Sequence, residues 1–187
     1  MAKNTKKKKI GIAFLWMLFF ILLIWGIEVI NFLLDHQLCA LGIFPRRTEN
    51  LAGIILSPFL HYGFAHVIMN SIPLLILGGM VVMRGQRVFI TATLMIIILS
   101  GSAVWFFGRS AYHVGASGLI FGYFGFIIGA AWYERSFISL ITAIIAIGLY
   151  GSTLHIGLIP INSYISWEGH LFGLIAGIFA SRFFRNR

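Results

Sequence analysis

The sequence predicts an all-α polytopic membrane protein built as a bundle of six transmembrane helices, and three observations predict it. Hydrophobic residues fill 59% of the 187 positions and charged residues only 10%, against about a quarter charged in a soluble domain. The apolar residues come in runs of roughly 20. That is the length of a helix crossing a hydrocarbon core about 30 Å thick, and far longer than a barrel strand. The Lys and Arg residues behind the net charge of +9 sit in short clusters between these runs. This is the pattern of topology determinants, so the lipid bilayer is the expected partner and nucleic acid is not. A single cysteine, Cys39, excludes an internal disulfide.

Residues 1–9 form a basic tail with five lysines (Lys3 and Lys6 to Lys9), read as cytoplasmic. The apolar run that follows, about 10–34, exceeds the 7–15-residue core of a signal peptide and lacks a small-residue cleavage site, so it reads as a retained first helix. Residues 35–62 are apolar but broken by Pro45, Arg46-Arg47, Glu49 and Pro58, which suits the membrane interface better than a span. The remaining spans are placed at about 63–83, 88–107, 115–133, 137–154 and 168–184. Tight loops at Arg84-Gly85-Gln86-Arg87 and Glu134-Arg135 separate them, together with a longer loop, His155–Trp167, that contains Pro160. The chain then closes at 185–187. One core, 10–184, therefore carries all six spans.

Six spans put both termini on one side. That side collects the five lysines with Arg84, Arg87, Arg135, Arg182, Arg185 and Arg187, eleven basic residues, against Arg46, Arg47 and Arg109 on the other. The positive-inside rule then places both termini in the cytoplasm. The expected location is a bacterial cytoplasmic membrane.

In that orientation spans two, four and six all begin at the outer face. Ser117 lies two residues into span four, inside Gly115-Ala116-Ser117-Gly118. His170 lies two residues into span six. His66 opens span two, with Asn70 one turn below it on the same face. Glycines flanking Ser117 clear space for a substrate backbone, and a helix start offers unpaired N–H groups to a developing anion. Each residue alone is equally consistent with a helix cap or an interhelical hydrogen bond. Together they supply a nucleophile, a base and amide-type donors in one layer. Ser117 precedes Glu134 by 17 residues, about 25 Å of helix, so it lies a little below the outer surface and needs water from that side. Gly125/Gly129 and Gly173/Gly177 form GxxxG pairs in register with Ser117 and His170 and allow the two helices to approach closely. Phe121, one turn below Ser117, can pack on the imidazole of His170.

The strings Gly115-Ala116-Ser117-Gly118, His66-x-x-x-Asn70 and Gly169-His170-x-x-Gly173-x-x-x-Gly177 resemble those of the rhomboid family of intramembrane serine proteases. The resemblance covers about 59–180 by motif and the chain by topology. It implies a Ser117–His170 dyad with His66 and Asn70 at the oxyanion, and His61 as a further recurrent histidine. It also implies a mobile fifth span and the loop before span six as gate and cap. The substrates it implies are single-span membrane proteins, cut near the extracytoplasmic end of their helix, with no cofactor. Three positions depart from the family pattern. Ala52-Gly53 stand where many members carry Trp-Arg, Val81-Val82-Met83 supply no acid before Arg84, and Phe121 replaces a frequent tyrosine.

Other protease chemistries lack their residues. No HExxH string exists, and Asp35 is the only aspartate, so neither a zinc site nor an aspartyl pair is expected. Glu168 precedes His170 by two and should point away from it, which leaves a dyad without an acid. The rival reading is a non-catalytic rhomboid-like protein that binds membrane helices. A transporter would show paired buried charges or inverted repeats, and neither is visible.

Overall fold

The computed structural model describes residues 2–159 and 165–184. Within them the chain forms seven α-helices: α1 (Ala2–Leu33), α2 (Gly53–Leu56), α3 (Phe64–Val82), α4 (Gln86–Phe107), α5 (Ser117–Glu134), α6 (Phe137–Gly157) and α7 (Trp167–Arg182). Helix α1 starts at Ala2, ahead of the apolar run, so the segment expected as a tail continues the first helix. Part of the loop before α7, including Pro160, and the closing segment 185–187 lie outside the described residues.

Among the described residues, four helices are long and apolar enough to cross a membrane: Phe14–Leu33 within α1, and α3, α4 and α6. The expected six spans also need α5 and α7, which are shorter, at 18 and 16 residues. Their sequences explain the difference. Helix α5 is rich in glycine and ends in polar Tyr133-Glu134. It buries every residue from Leu119 to Ile127, and a helix buried on all sides faces protein rather than lipid. Helix α6 is the opposite case, with Phe137, Ile138, Ile144 and Leu149 all more than half exposed.

Helices α5 and α7 pack backbone to backbone. A Cβ on Gly173 would overlap the Gly118 carbonyl oxygen, one on Gly177 the Gly122 carbonyl oxygen, and one on Gly125 the Leu174 carbonyl oxygen. A Cβ on Gly129 would meet the Ser181 hydroxyl. Small residues at this spacing are how membrane helices gain contact without a hydrophobic driving force. The seam holds the first turns of the two helices side by side.

The two ends of the bundle are tied differently. At the end of α5, the Glu134 carboxylate pairs with Arg84 and accepts a hydrogen bond from the Ser139 hydroxyl. Arg84 thus finds across the bundle the acid its own loop lacks. Ser136 caps α6 by accepting from the Ser139 N–H at 3.1 Å. At the other end the segment between α1 and α3 folds over the helix starts. Ile43 and His113 exchange two backbone hydrogen bonds of 3.1 and 2.8 Å. Gly53 abuts the Gly42 backbone so closely that no side chain could stand there. Ile54 lies on Gly101 of α4, while Leu51, Ile55 and Leu56 stay substantially exposed. A backbone contact therefore anchors the loop at the position where Trp-Arg is absent.

Candidate functional site

Ser117 is the first residue of α5 and His170 lies in the first turn of α7. The Ser117 Oγ stands 2.9 Å from His170 Nε2. On the other side of the ring, Nδ1 lies 2.7 Å from the carbonyl oxygen of Gly157, the last residue of α6. A carbonyl only accepts, so Nδ1 carries the proton and Nε2 presents a lone pair to the serine hydroxyl. The Phe121 ring lies parallel to the imidazole, 4.1 Å between centroids and 6° between planes. Three contacts therefore fix the imidazole in orientation and tautomer, and none is a carboxylate. Glu168, two residues before His170, directs Oε1 to Arg109, accepting from its backbone N–H at 3.3 Å and lying 3.8 Å from its Nε. Glu28, the other acid near this layer, accepts from the Asn31 amide and faces His36.

Gly115 shapes the second half of the site. Its φ of +112° suits glycine alone, and a Cβ there would lie 2.7 and 2.8 Å from His66 Cε1 and Nε2 and 3.7 Å from Asn70 Nδ2. The imidazole and the amide thus converge on the backbone two residues before Ser117. The Tyr62 N–H points to His66 Nδ1 at 3.4 Å, which leaves the proton on Nε2, the atom facing Gly115. Asn70 is 4% exposed and its Nδ2 has no hydrogen-bond partner among the described residues. A buried amide donor left unpaired costs about 1–3 kcal/mol. It is explained if a substrate oxygen completes it.

His61 plays a different part from His66. Its Nε2 accepts the Ala116 backbone N–H at 3.3 Å, and its ring meets that of His66 edge to face at 4.9 Å. Nε2 is an acceptor and holds the turn before Ser117, so the proton lies on Nδ1, which is buried with no hydrogen-bond partner among the described residues. Burial, with a smaller contribution from the neighbouring His66, pushes its pKa down to about 3. It stays neutral and keeps this role at physiological pH. The Gly115 N–H donates to the Ser57 carbonyl at 2.8 Å, which fixes the same turn from the other side. Gly118 faces the Gly169 carbonyl, 3.3 Å from where a Cβ would be, so it serves the seam as well as the site.

A cavity of about 40 Å³ opens beside the serine, room for about three water molecules. It is lined by Gly115, Ser117, Gly118 and Ser166 together with apolar Ile54, Ile97 and Val104. No cluster of three or more metal-ligating side chains occurs among the described residues.

The site also contains groups the sequence did not single out. The Gly157 carbonyl has no signature, because every residue carries one. His113, Ser166 and Arg109 lie in loops whose partners depend on the fold. Ser166 had one readable signal, a serine just before Trp167-Glu168 at a helix start. It caps α7, accepting from the Gly169 N–H at 3.2 Å.

Comparison with known proteins identifies the family. The Rhomboid domain family matches residues 48–187. The chain is 33% identical over 188 residues to the uncharacterized protein Rv1337 of Mycobacterium tuberculosis, covering 96% of this chain and 78% of that protein. The same figures hold for the uncharacterized protein Mb1372 of Mycobacterium bovis. The uncharacterized protein ML1171 of Mycobacterium leprae is 36% identical over 171 residues, covering 87% of this chain and 67% of that protein. With three quarters of its length inside the family match and relatives along almost all of it, the chain belongs to the rhomboid family.

Proposed function

We propose that the protein is an intramembrane serine endopeptidase that cleaves single-span membrane proteins with a Ser117–His170 dyad. One observation carries the reading: the 2.9 Å Ser117 Oγ–His170 Nε2 contact, with Nδ1 held by the Gly157 carbonyl. His170 takes the hydroxyl proton as Ser117 Oγ attacks the scissile carbonyl carbon. The resulting oxyanion is held by Asn70 Nδ2 and His66 Nε2–H beside the first backbone N–H groups of α5. Collapse of the intermediate breaks the C–N bond, and His170 returns the proton to the leaving amine. Water, activated by the same imidazole, then hydrolyses the acyl-enzyme.

In this reading residues 10–184 form a six-span core with α5 and α7 as its central spans. Both termini are cytoplasmic and the site opens to the extracytoplasmic side of a bacterial cytoplasmic membrane. A substrate helix must unwind its outer turn to expose a peptide bond, and Gly, Ser or Pro there makes unwinding cheapest. The narrow cavity between Gly115 and Gly118 favours a small residue at the cut.

The test is incubation of the purified protein with a panel of single-span substrates, wild type beside Ser117→Ala, with a fluorophosphonate probe in parallel. Cleavage and labelling should occur in wild type only. Mass spectrometry should place the cut near the extracytoplasmic end of the helix, after a small residue. Leu substitutions at helix breakers near the cut should slow it. Substrate bound but left uncut by wild type would favour the non-catalytic helix-binding reading. Full activity in Ser117→Ala would end the dyad reading.

A further inference from the structure

Four residues upstream of the dyad a second pair spans the same gap. Ser117 and His170 are 53 residues apart, and so are His113 and Ser166, whose Nδ1 and Oγ lie 2.6 Å apart. The pair is a serine and a histidine in swapped positions, and each partner precedes its catalytic counterpart by four residues. Its proton arrangement is determined. His113 Nε2 lies 3.1 Å from the Arg109 carbonyl and must donate to it. Nδ1 is therefore an acceptor, and it takes the Ser166 O–H. The same Ser166 oxygen accepts the Gly169 N–H, one residue before His170.

Further bonds tie the same two segments. The Glu168 carboxylate, 3% exposed, accepts the Arg109 backbone N–H. The Arg109 guanidinium donates to the Ile165 carbonyl at 2.7 Å. His113 is 4% exposed and anchored in turn by the two backbone bonds to Ile43. Below this layer the seam fixes how closely α5 and α7 approach, but its glycine contacts are chiefly to backbone carbonyls and supply no directional bond. A directional bond between the segment leading into Ser117 and the cap of α7 supplies what the seam lacks.

We propose that His113 and Ser166 are positioning residues whose hydrogen bond sets the register of α5 against α7, and with it the Ser117–His170 distance. The proposal rests on the dyad reading above. Displacement of a reacting group by about 1 Å can cost 10²-fold, so losing this tie should act on the chemical step more than on substrate binding.

The experiment uses the full-length protein in detergent and measures the fluorophosphonate labelling rate, kcat and KM on one single-span substrate, and Tm. The chains compared are wild type, Ser117→Ala, His113→Phe, Ser166→Ala, Ser166→Thr and the His113→Phe/Ser166→Ala double variant. His113→Phe and Ser166→Ala should each slow labelling and kcat by about tenfold with KM little changed. The double variant should be no slower than either single, because both remove one shared bond. Ser166→Thr, which keeps the hydroxyl and the cap, should recover most of the rate. Should His113→Phe fail to fold, the Ser166→Ala loss and its recovery in Ser166→Thr decide the matter. Unchanged rates in the single variants, multiplying losses in the double, or losses that follow Tm with no recovery by threonine would each overturn the inference while leaving the dyad in place. Labelling that survives Ser117→Ala would overturn the dyad reading, and this inference with it.

Discussion

The imidazole of His170 lies flat on the ring of Phe121, 4.1 Å between centroids and 6° from parallel. The residues sit on different helices, α7 and α5, so the stack is a tertiary contact that exists only when the two helix starts are in register. It holds the ring plane, while the Gly157 carbonyl and Ser117 Oγ fix its rotation within that plane. An aromatic stack contributes about 0.5–1.5 kcal/mol beyond area burial, or about two- to twelvefold in rate if spent on orienting the base. Phe121→Leu should therefore lower kcat by about three- to tenfold with KM nearly constant, and Phe121→Tyr should retain activity. Steady-state kinetics on one substrate check this. A leucine variant with full kcat would mean that the other two contacts suffice.

Asn70 and His66 are separable from the base. Asn70 Nδ2 is buried with no partner among the described residues, and His66 Nε2 faces the same Gly115 backbone. If Asn70 is a full oxyanion donor, Asn70→Ala should cost roughly 10²–10³-fold in turnover, and His66→Ala the same or less. Removing an unpaired buried donor should leave Tm unchanged or raise it, whereas removing an interhelical bond would lower it. Kinetics and thermal unfolding on the same samples distinguish the cases. Losses under about threefold in both variants, with a lowered Tm, would make these residues helix–helix ties.

Much of this site could be read from the sequence, for a definite reason. Ser117 with Phe121, His66 with Asn70, and the glycines of α5 and α7 are related by helical spacing, which fixes a shared face without knowledge of the fold. The glycine contacts then turn a shared face into a shared place. The contributions of His61, His113, Ser166 and Arg109 were not legible that way. Each acts from a loop or a helix cap on a backbone group or side chain about 50 residues away, and no local period encodes such a pairing. His61 shows the limit most clearly: motif position marks it as part of the site, but only geometry shows that its Nε2 accepts from Ala116. The low hydropathy of α5 has the same origin, because hydropathy measures fitness for lipid and α5 is buried from Leu119 to Ile127.

His61 also gives the protein a defined acid sensitivity. Its folded pKa of about 3 lies below the ordinary 6.5, chiefly because it is buried. Between those values the unfolded chain binds a proton that the folded chain does not, so stability rises with pH in that window. The contribution is complete above about pH 6.5 and is lost as pH falls toward 3. Burial also lowers the pKa of His113, so it adds in the same direction. Tm in detergent should fall as the pH drops from about 7 to about 5, above the range where most carboxylates titrate. The slope should be smaller in His61→Gln, which keeps an acceptor for the Ala116 N–H but has no proton to bind. An identical slope in the variant would place the acid sensitivity elsewhere.

Orientation decides which compartment the substrate's cut end faces, and the charge distribution makes it testable. Arg84 and Arg135 lie at the ends of α3 and α5 opposite the dyad, whereas Arg46 and Arg109 lie in the loops around the dyad layer. Arg46 donates to the carbonyls of Phe106 and Gly108 at 3.2 and 2.9 Å, at the C-terminus of α4. A cation is favoured there by the helix dipole, whichever way the protein is inserted. Discounting Arg46 for that local role makes the excess on the far side larger still, so the positive-inside rule predicts that the dyad layer is outside. With Cys39→Ser as background, Ser110→Cys should react with an impermeant thiol reagent in intact cells, because Ser110 is exposed in the loop before the dyad. Gln86→Cys, in the opposite turn, should react only after the membrane is opened. The background change is mild by construction, since a serine hydroxyl can still donate to the His61 carbonyl that Cys39 Sγ contacts at 3.2 Å. Labelling of Gln86→Cys in intact cells would invert the protein, and a cut at the cytoplasmic end of substrate helices would then be required.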